Sequence, residues 1–389
     1  MKKFVVSCVL IIALAAAGFA VEDVGMYEYL YNATLTNMAQ LDILRNMSQA
    51  RPSGAADFYV KALRRLLSEY KNIRTVTERS AADEQAILLS ALLGEEKHAP
   101  AAPDLWLVVD GFSAPLVKAE ALMALGKIRA ANYLPQVIHV LDSLNAAPVP
   151  DRLSGERVAF GAIIALEKYQ DTSGYLPVFF AATGWYSDRI KNQALKSLPL
   201  IASDPAPYMM EVIKGSGYNY PAKYGALQVI EASGVDNKSK VEVAIAAYAE
   251  GWRAATNDIH LRQTLTNMRK LAISMINRYK SDDEAIYPLL ERSYTNGYDI
   301  QEKFDAIAAL ASQGTDAAAE RLSKILMDLN TKRLNDNITR EDEQMVRAVI
   351  PALGQAGRPS GRTALISVGA SGWQTAVRNL ADEALKKLQ

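Results

Sequence analysis

The sequence predicts an all-α fold of paired antiparallel helices. Short stretches with apolar residues at helical spacing follow one another through most of the 389 residues, and similar stretches return at intervals typical of paired-helix repeats. In the best-formed stretch, residues 119–141, the first helix carries Leu122 and Leu125 on its apolar side. Pro135 then opens a second helix, because proline is tolerated in a first turn. Each helix has more apolar surface than it can bury alone, so it needs neighbours of the same kind.

The amino terminus has the order of an export signal. Lys2 and Lys3 precede an apolar run, residues 4–19, and Ala20 follows as a small residue. This order predicts a signal peptide over residues 1–20, and its Met-Lys-Lys start is typical of bacteria. The alternative is an uncleaved membrane anchor, although the run is short for a span and no basic stop follows it. We expect an exported protein, periplasmic or secreted, whose mature chain begins at Val21 and contains no membrane span.

Composition bears on how the mature chain is stabilised and on the kind of partner it binds. Cys8 is the only cysteine and lies inside the predicted signal, so the mature chain must be stabilised by burial without disulfides. Half of the residues are hydrophobic, which is enough for a sizeable core. The 43 basic and 43 acidic residues balance, whereas a nucleic-acid partner would favour a basic surface. We therefore expect no nucleic-acid partner.

One apolar position recurs through residues 80–389 and serves as the anchor of each first helix. Successive anchors lie 31 to 43 residues apart, and small residues just before them allow two helices to approach closely. The amino-acid sequences around the anchors are also similar to one another, as in AEALMALGK and VRAVIPALG. The nine predicted anchors are Leu92, Leu125, Leu166, Leu198, Ile230, Met268, Leu310, Leu353 and Ala384.

Residues 21–79 fit the repeat poorly and are predicted to form an N-terminal helical cap. The pattern predicts one helix from Val24 to about Met47 and a second from Asp57 to about Val76. Terminal repeats of a solenoid are often atypical, because one of their faces must meet water. Ser80 followed three residues later by an aspartate resembles a capping box and is predicted to begin the repeats.

The repeat pattern resembles that of a known family. Lys/Arg-x-x-Ala-x-x-Ala-Leu-Gly, as in residues 118–126 and, one residue shorter, in 347–354, is similar to the first helix of HEAT repeats, including those of bacterial bilin lyases. The resemblance covers residues 80–389 and implies a HEAT-like solenoid, that is, a right-handed α-α superhelix of paired antiparallel helices. Members of this family are mostly scaffolds that hold other proteins along a curved surface. Tetratricopeptide repeats keep a strict 34-residue period, which these spacings do not.

A glycine followed by an aromatic residue recurs after the second helix of several repeats. Glycine suits a left-handed helix C-cap, and the aromatic can then cover the seam between adjacent repeats. The alternative is an exposed ladder of rings that stacks on sugars, which would make the protein a glycan-binding module. The six junction aromatics are Phe112, Trp185, Tyr218, Trp252, Tyr298 and Trp373.

The sequence offers no recognisable set of catalytic or metal-binding residues. His98, His139 and His260 fall in different repeats, and no two of them have metal-ligand spacing on one helix. No glycine-rich stretch has the lysine and preceding strand of a phosphate-binding loop. We predict a protein without cofactor, metal or enzymatic activity. The alternative is a lyase-like HEAT-repeat enzyme, which would need polar residues clustered in one groove.

The second helices supply the candidate binding surface, because they line the concave side of HEAT-like solenoids. When four of them are aligned on their prolines, the side next to the core positions is more apolar than a solvated helix requires. Such a surface suits a protein or peptide partner, unless curvature buries it. We therefore predict a non-enzymatic scaffold of the bacterial cell envelope. Its candidate contact residues are Gln136, His139, Val178, Tyr208 and Glu211.

Overall fold

The structure, a computed structural model, describes residues 23–281 and 283–388. The predicted signal peptide and the start of the mature chain at Val21 lie outside these residues. The all-α prediction is confirmed, since the described residues contain helices and turns and no β-strand. No helix in this part of the chain is long and apolar enough to cross a membrane. The chain divides into two compact units between Ser203 and Asp204.

The first unit has ten α-helices in its described part. They are α1 (Val24–Ala33), α2 (Asn37–Ala50), α3 (Ala56–Glu69), α4 (Val76–Glu95), α5 (Ala102–Gly111), α6 (Pro115–Ile128), α7 (Leu134–Ala146), α8 (Arg152–Tyr169), α9 (Tyr175–Thr183) and α10 (Asp188–Ile201). The first helices of the repeats, α2, α4, α6, α8 and α10, form a series in which each packs against the next. The second helices are α3, α5, α7 and α9, and each of them packs against a first helix.

The second unit repeats this arrangement over its described residues. Its ten helices are α11 (Ala206–Lys214), α12 (Tyr220–Ala232), α13 (Asn237–Glu250), α14 (Ile259–Tyr279), α15 (Ile286–Asn296), α16 (Ile300–Gln313), α17 (Asp316–Leu334), α18 (Arg340–Ala356), α19 (Arg362–Ala370) and α20 (Thr375–Leu385). The first helices, α12, α14, α16, α18 and α20, again pack each against the next, and α11, α13, α15, α17 and α19 are the second helices.

Helices α6 and α8 approach each other so closely that two positions have no room for a side chain. A Cβ atom placed on Gly126 would lie 2.5 Å from the Cα of Ala165, and one placed on Gly161 would lie 2.5 Å from the Cα of Ala119. Both distances are shorter than van der Waals contact, so only glycine fits at these positions. The two contacts follow the same chain direction in both helices, and α6 and α8 therefore run parallel.

The same small-residue contact defines the repeat register and shifts it at both ends. All nine predicted anchors are buried. However, Gly94 packs against the next first helix as Gly126 does. The residue before Gly126 is the anchor Leu125, so the equivalent residue before Gly94 is Leu93 rather than Leu92. At the other end, Gly354 of α18 packs against Ala384, as Gly126 packs against Ala165. Leu385, the residue after Ala384, therefore holds the anchor position. The predicted anchor is therefore displaced by one residue in each of these two repeats.

The N-terminal helices differ from their predicted bounds. The single helix predicted from Val24 is broken at residues 34–36, where the side chain of Thr36 accepts a hydrogen bond from Ala39 N and begins α2. Helix α4 begins at Val76, before the predicted capping box at Ser80. Its cap is Thr75, whose hydroxyl accepts from Glu78 N. A threonine followed three residues later by glutamate also fits the capping pattern, and it lies nearer the end of α3.

The close approach of α6 and α8 predicts the outcome of a minimal substitution. Gly126→Ala adds one methyl group where the backbone of α8 already lies, so we expect a loss of about 1–3 kcal/mol in unfolding free energy from overpacking. Gly111→Ala is the control, since a Cβ there meets no atom within 4 Å. Urea unfolding of both variants is the measurement. A Gly126→Ala protein as stable as Gly111→Ala would contradict the close approach.

Candidate functional site

Three of the five predicted contact residues lie on second helices of the first unit. On α7, Gln136 is half-buried and His139 is exposed, and residues three apart on a helix are neighbours. Val178 on α9 is fully buried, so its prediction as a contact residue is wrong. Helix α9 packs against α7 and α10, and none of its nine residues is charged. Leu176, Phe180 and Thr183 of this helix are half-buried, and its other six residues are buried.

An aromatic pair extends the exposed part of this region. The rings of Trp106, on α5, and Tyr133, just before α7, stack with centroids 6.0 Å apart and an angle of 29° between their planes. Both residues are half-buried, and the neighbouring Leu107 is 52% exposed. Aromatic side chains with one accessible side are typical of protein contacts. We call Trp106, Leu107, Tyr133, Gln136 and His139 the α5–α7 surface.

The other two predicted contact residues lie on α11, in the second unit. Tyr208 is half-buried and Glu211 is exposed, whereas Met209 between them is fully buried. The hydroxyl of Tyr218 donates to Oε1 of Glu211 at 3.4 Å. Burial raises the pKa of the Tyr218 hydroxyl, and the negative charge of Glu211 raises it further. Tyr208, Glu211 and Tyr218, which we call the α11 cluster, combine one accessible carboxylate with two phenol rings.

Two junction aromatics lie in the core and hold neighbouring elements together. Phe112 is 2% exposed and stacks on Tyr70 with a centroid distance of 3.7 Å. Trp373 is 5% exposed, and its indole Nε1 donates to Oδ1 of Asn330 at 2.7 Å. Because these rings are buried, the six junction aromatics cannot form one continuous exposed ladder for sugars.

The remaining junction aromatics are partly accessible and also contact neighbouring helices. Trp185 is half-buried and donates from Nε1 to the carbonyl of Leu144 at 2.8 Å. Trp252 is half-buried, and the guanidinium carbons of Arg269 and Arg292 lie 4.1 and 4.6 Å from the centroid of its ring. Tyr298 is the most accessible of the six at 51% exposure, and the guanidinium of an arginine lies over its ring. These contacts favour the interpretation that the aromatics cover seams between helix pairs.

The three histidines stay apart in the structure. His139 and His260 are exposed on different helices, and Nε2 of His98 lies 3.6 Å from a carboxylate oxygen of Asp57. Over residues 23–281 and 283–388, no three His, Cys, Asp or Glu side chains lie close enough together to hold a metal ion.

Sequence reasoning missed a buried polar network in the second unit. Two guanidinium nitrogens of Arg269 donate to the two carboxylate oxygens of Glu302, at 2.7 and 2.9 Å. Ser293 donates to the same carboxylate at 2.9 Å, and the Tyr248 hydroxyl donates to Ser293 Oγ at 2.7 Å. All four side chains are buried, and they come from α13, α14, α15 and α16. The network therefore joins four helices.

The chemistry of this network is that of a structural clamp. A third nitrogen of Arg269 donates to the carbonyl of Gly251 at 3.0 Å, and the backbone N of Tyr298 donates to Glu302 at 3.1 Å. The charged groups therefore use their hydrogen-bonding capacity within the protein, which a buried ion pair requires. A sequence signal did exist: Arg269 follows the anchor Met268, so it lies at the edge of the buried side of α14.

Comparison with known proteins adds no relative. No protein-family model matches the chain. No curated protein matches its sequence. The surfaces described above are therefore interpreted from their own geometry and chemistry.

Removing one partner of the buried ion pair should be costly. Arg269→Ala leaves the Glu302 carboxylate buried without its cation, so we expect a loss of about 3–5 kcal/mol in unfolding free energy. Arg278→Ala is the control, because Arg278 pairs with Glu231 at the surface and such pairs contribute about 1 kcal/mol or less. Chemical denaturation of the full chain compares them. Equal losses would show that the clamp is not buried as described.

Proposed function

We propose that the protein is a non-enzymatic binding scaffold of the bacterial cell envelope. In this proposal its helix pairs form a HEAT-like, right-handed superhelix of antiparallel pairs. The second helices then hold a protein or peptide partner on the concave side. The packing of each first helix against the next, within both units, supports a repeat architecture of this kind. The export signal that the sequence predicts supports the location, and the proposal includes no cofactor, no metal and no nucleic acid.

One observation carries the proposal of a protein partner. The second helices leave aromatic and apolar side chains accessible next to buried core positions. These accessible side chains form the α5–α7 surface in the first unit and the α11 cluster in the second. Accessible aromatics beside a few polar groups are the composition of protein contact sites. A helix with only a structural role would carry charged or small residues at these accessible positions.

The α11 cluster suits a partner that presents a basic group. Glu211 is exposed, and its carboxylate accepts a long hydrogen bond from the Tyr218 hydroxyl. A lysine or arginine of the partner would meet this carboxylate and could also lie over a phenol ring, which attracts cations. Tyr208 would supply apolar area and one hydroxyl at low entropic cost.

Two neighbouring substitutions on α11 test this assignment. Tyr208→Ala removes the ring from the contact surface, so we expect partner capture to weaken by about 1–2 kcal/mol with little change in melting temperature. Met209→Ala is the control, because Met209 is fully buried and its truncation should cost about 2–5 kcal/mol in stability. The measurement is affinity capture from envelope extract, read by mass spectrometry, together with thermal unfolding of both variants.

The two readouts separate the possible outcomes. If Tyr208→Ala lowers the melting temperature as much as Met209→Ala, Tyr208 is a core residue and the surface is misplaced. If Tyr208→Ala leaves both stability and capture unchanged, the partner binds elsewhere and the proposal for α11 is wrong.

A further inference from the structure

The outward side of α8 and α10 has an unusual balance of charge. The two helices contain six basic and three acidic residues. Two of the carboxylates are used inside the fold. Glu156 accepts from the backbone and the hydroxyl of Ser187, each at 2.8 Å, and Glu167 accepts from the Ser197 hydroxyl at 2.7 Å. The surface that remains is basic.

Contacts between the helices show which residues border the furrow between them. The guanidinium of Arg189 lies 5.7 Å from the ring centre of Phe160, and Gln193 Nε2 is 3.4 Å from Glu167 Oε2. Positions 189, 193, 196 and 200 share one side of α10 because they follow helical spacing. Arg189, Lys196 and Leu200 therefore line the α8 side of α10.

Helix α8 contributes an apolar floor with a cation at one end. Phe160 and Ile164 are half-buried and lie on the same side as Arg157, which is exposed. Leu200 of α10 is 52% exposed at the other end of the furrow. Apolar side chains thus lie beside two cations of α10 and one cation of α8. We call Arg157, Phe160, Ile164, Arg189, Lys196 and Leu200 the α8–α10 face.

The cations of this face form no close ion pair with another described residue. No ion pair there involves Arg157, Arg189 or Lys196. Most of their charge therefore faces solvent above an apolar floor. The nearby carboxylates, Asp151 and Asp188, lie at the helix N-termini. Hydrogen bonds from Ser154 lower the pKa of Asp151 and the charge of Arg157 lowers it further, so Arg157 is partly compensated while Arg189 and Lys196 are the main free cations of the furrow.

We propose that the α8–α10 face binds an acidic, amphipathic segment of a protein partner, at a site separate from the α11 cluster. The carboxylates of such a segment would meet Arg157, Arg189 and Lys196, and its apolar side chains would enter the furrow over Phe160 and Ile164. Complementary charge of this kind directs association and orientation. A helix laid in a groove projects side chains into it, whereas a flat lipid surface would not reach residues recessed between longer side chains.

A pair of synthetic helices provides the probe. Both carry leucine along one side and a fluorescein label, and they differ only in having glutamate or lysine along the other side. We expect the full chain to bind the glutamate helix, measured by fluorescence anisotropy, and the affinity to fall as salt screens the charges. Arg189→Glu combined with Lys196→Glu should weaken binding by about tenfold or more.

Two controls make the result specific. Lys324→Glu reverses an exposed cation on α17 that is not part of the α8–α10 face. It should leave the affinity within about twofold of the unaltered chain, because salt screens the interaction between exposed charges that are not in contact. Tyr208→Ala should also leave it unchanged, so failure here and failure of the α11 cluster can be told apart. The milder Arg189→Gln should give a smaller loss in the same direction.

Three results would overturn the proposal. The first is that the two helices bind equally well or that neither binds. The second is that Lys324→Glu weakens binding as much as the double variant does. The third is that anionic phosphatidylglycerol vesicles bind the chain and lose binding with the same double variant, while the glutamate helix does not bind; the occupant would then be a lipid surface.

Discussion

Backbone contact between α6 and α8 is the constraint on which the rest of the first unit depends. At Gly126 and Gly161 the two helices touch without intervening side chains, so their relative rotation is fixed. That rotation decides which residues of α8 enter the core, such as Leu166, and which point outward, such as Phe160 and Ile164. The surfaces proposed for binding are therefore consequences of the core packing, because a change in helix rotation would move every outward side chain.

The helices of this protein are held together by two different means. Small residues let α6 and α8 in the first unit, and α18 and α20 in the second, pack closely, whereas α13 to α16 are joined by the buried network around Arg269 and Glu302. Close packing of glycine and alanine depends on shape alone, but a buried ion pair also demands exact hydrogen-bonding partners. Seam aromatics such as Trp185 and Trp373 add hydrogen bonds between residues 41 and 43 positions apart, which is the distance of one long repeat.

Much of the core could be predicted from the sequence, because helical periodicity reports directly on burial. All nine predicted anchors are buried, although two of them lie one residue away from the equivalent position. Predictions about surface residues were weaker, since exposure depends on neighbouring helices that the pattern does not locate. Val178 is enclosed on all sides. Arg129, which lies off the apolar stripe and looks dispensable, has a left-handed backbone and donates to the carbonyl of Lys168 at 2.9 Å. The Arg269 network escaped notice because a single arginine in an apolar pattern gives no information about its partner.

Hydrogen exchange on the full chain tests the central claim most directly. If α6 and α8 shield each other's backbones, amides in residues 119–126 and 161–166 should be the slowest to exchange in the first unit, and they should exchange only when the unit unfolds as a whole. The reference is the segment 147–151, which lies between α7 and α8. Exchange in the two helices at the rate of that segment would contradict a core built on their close approach.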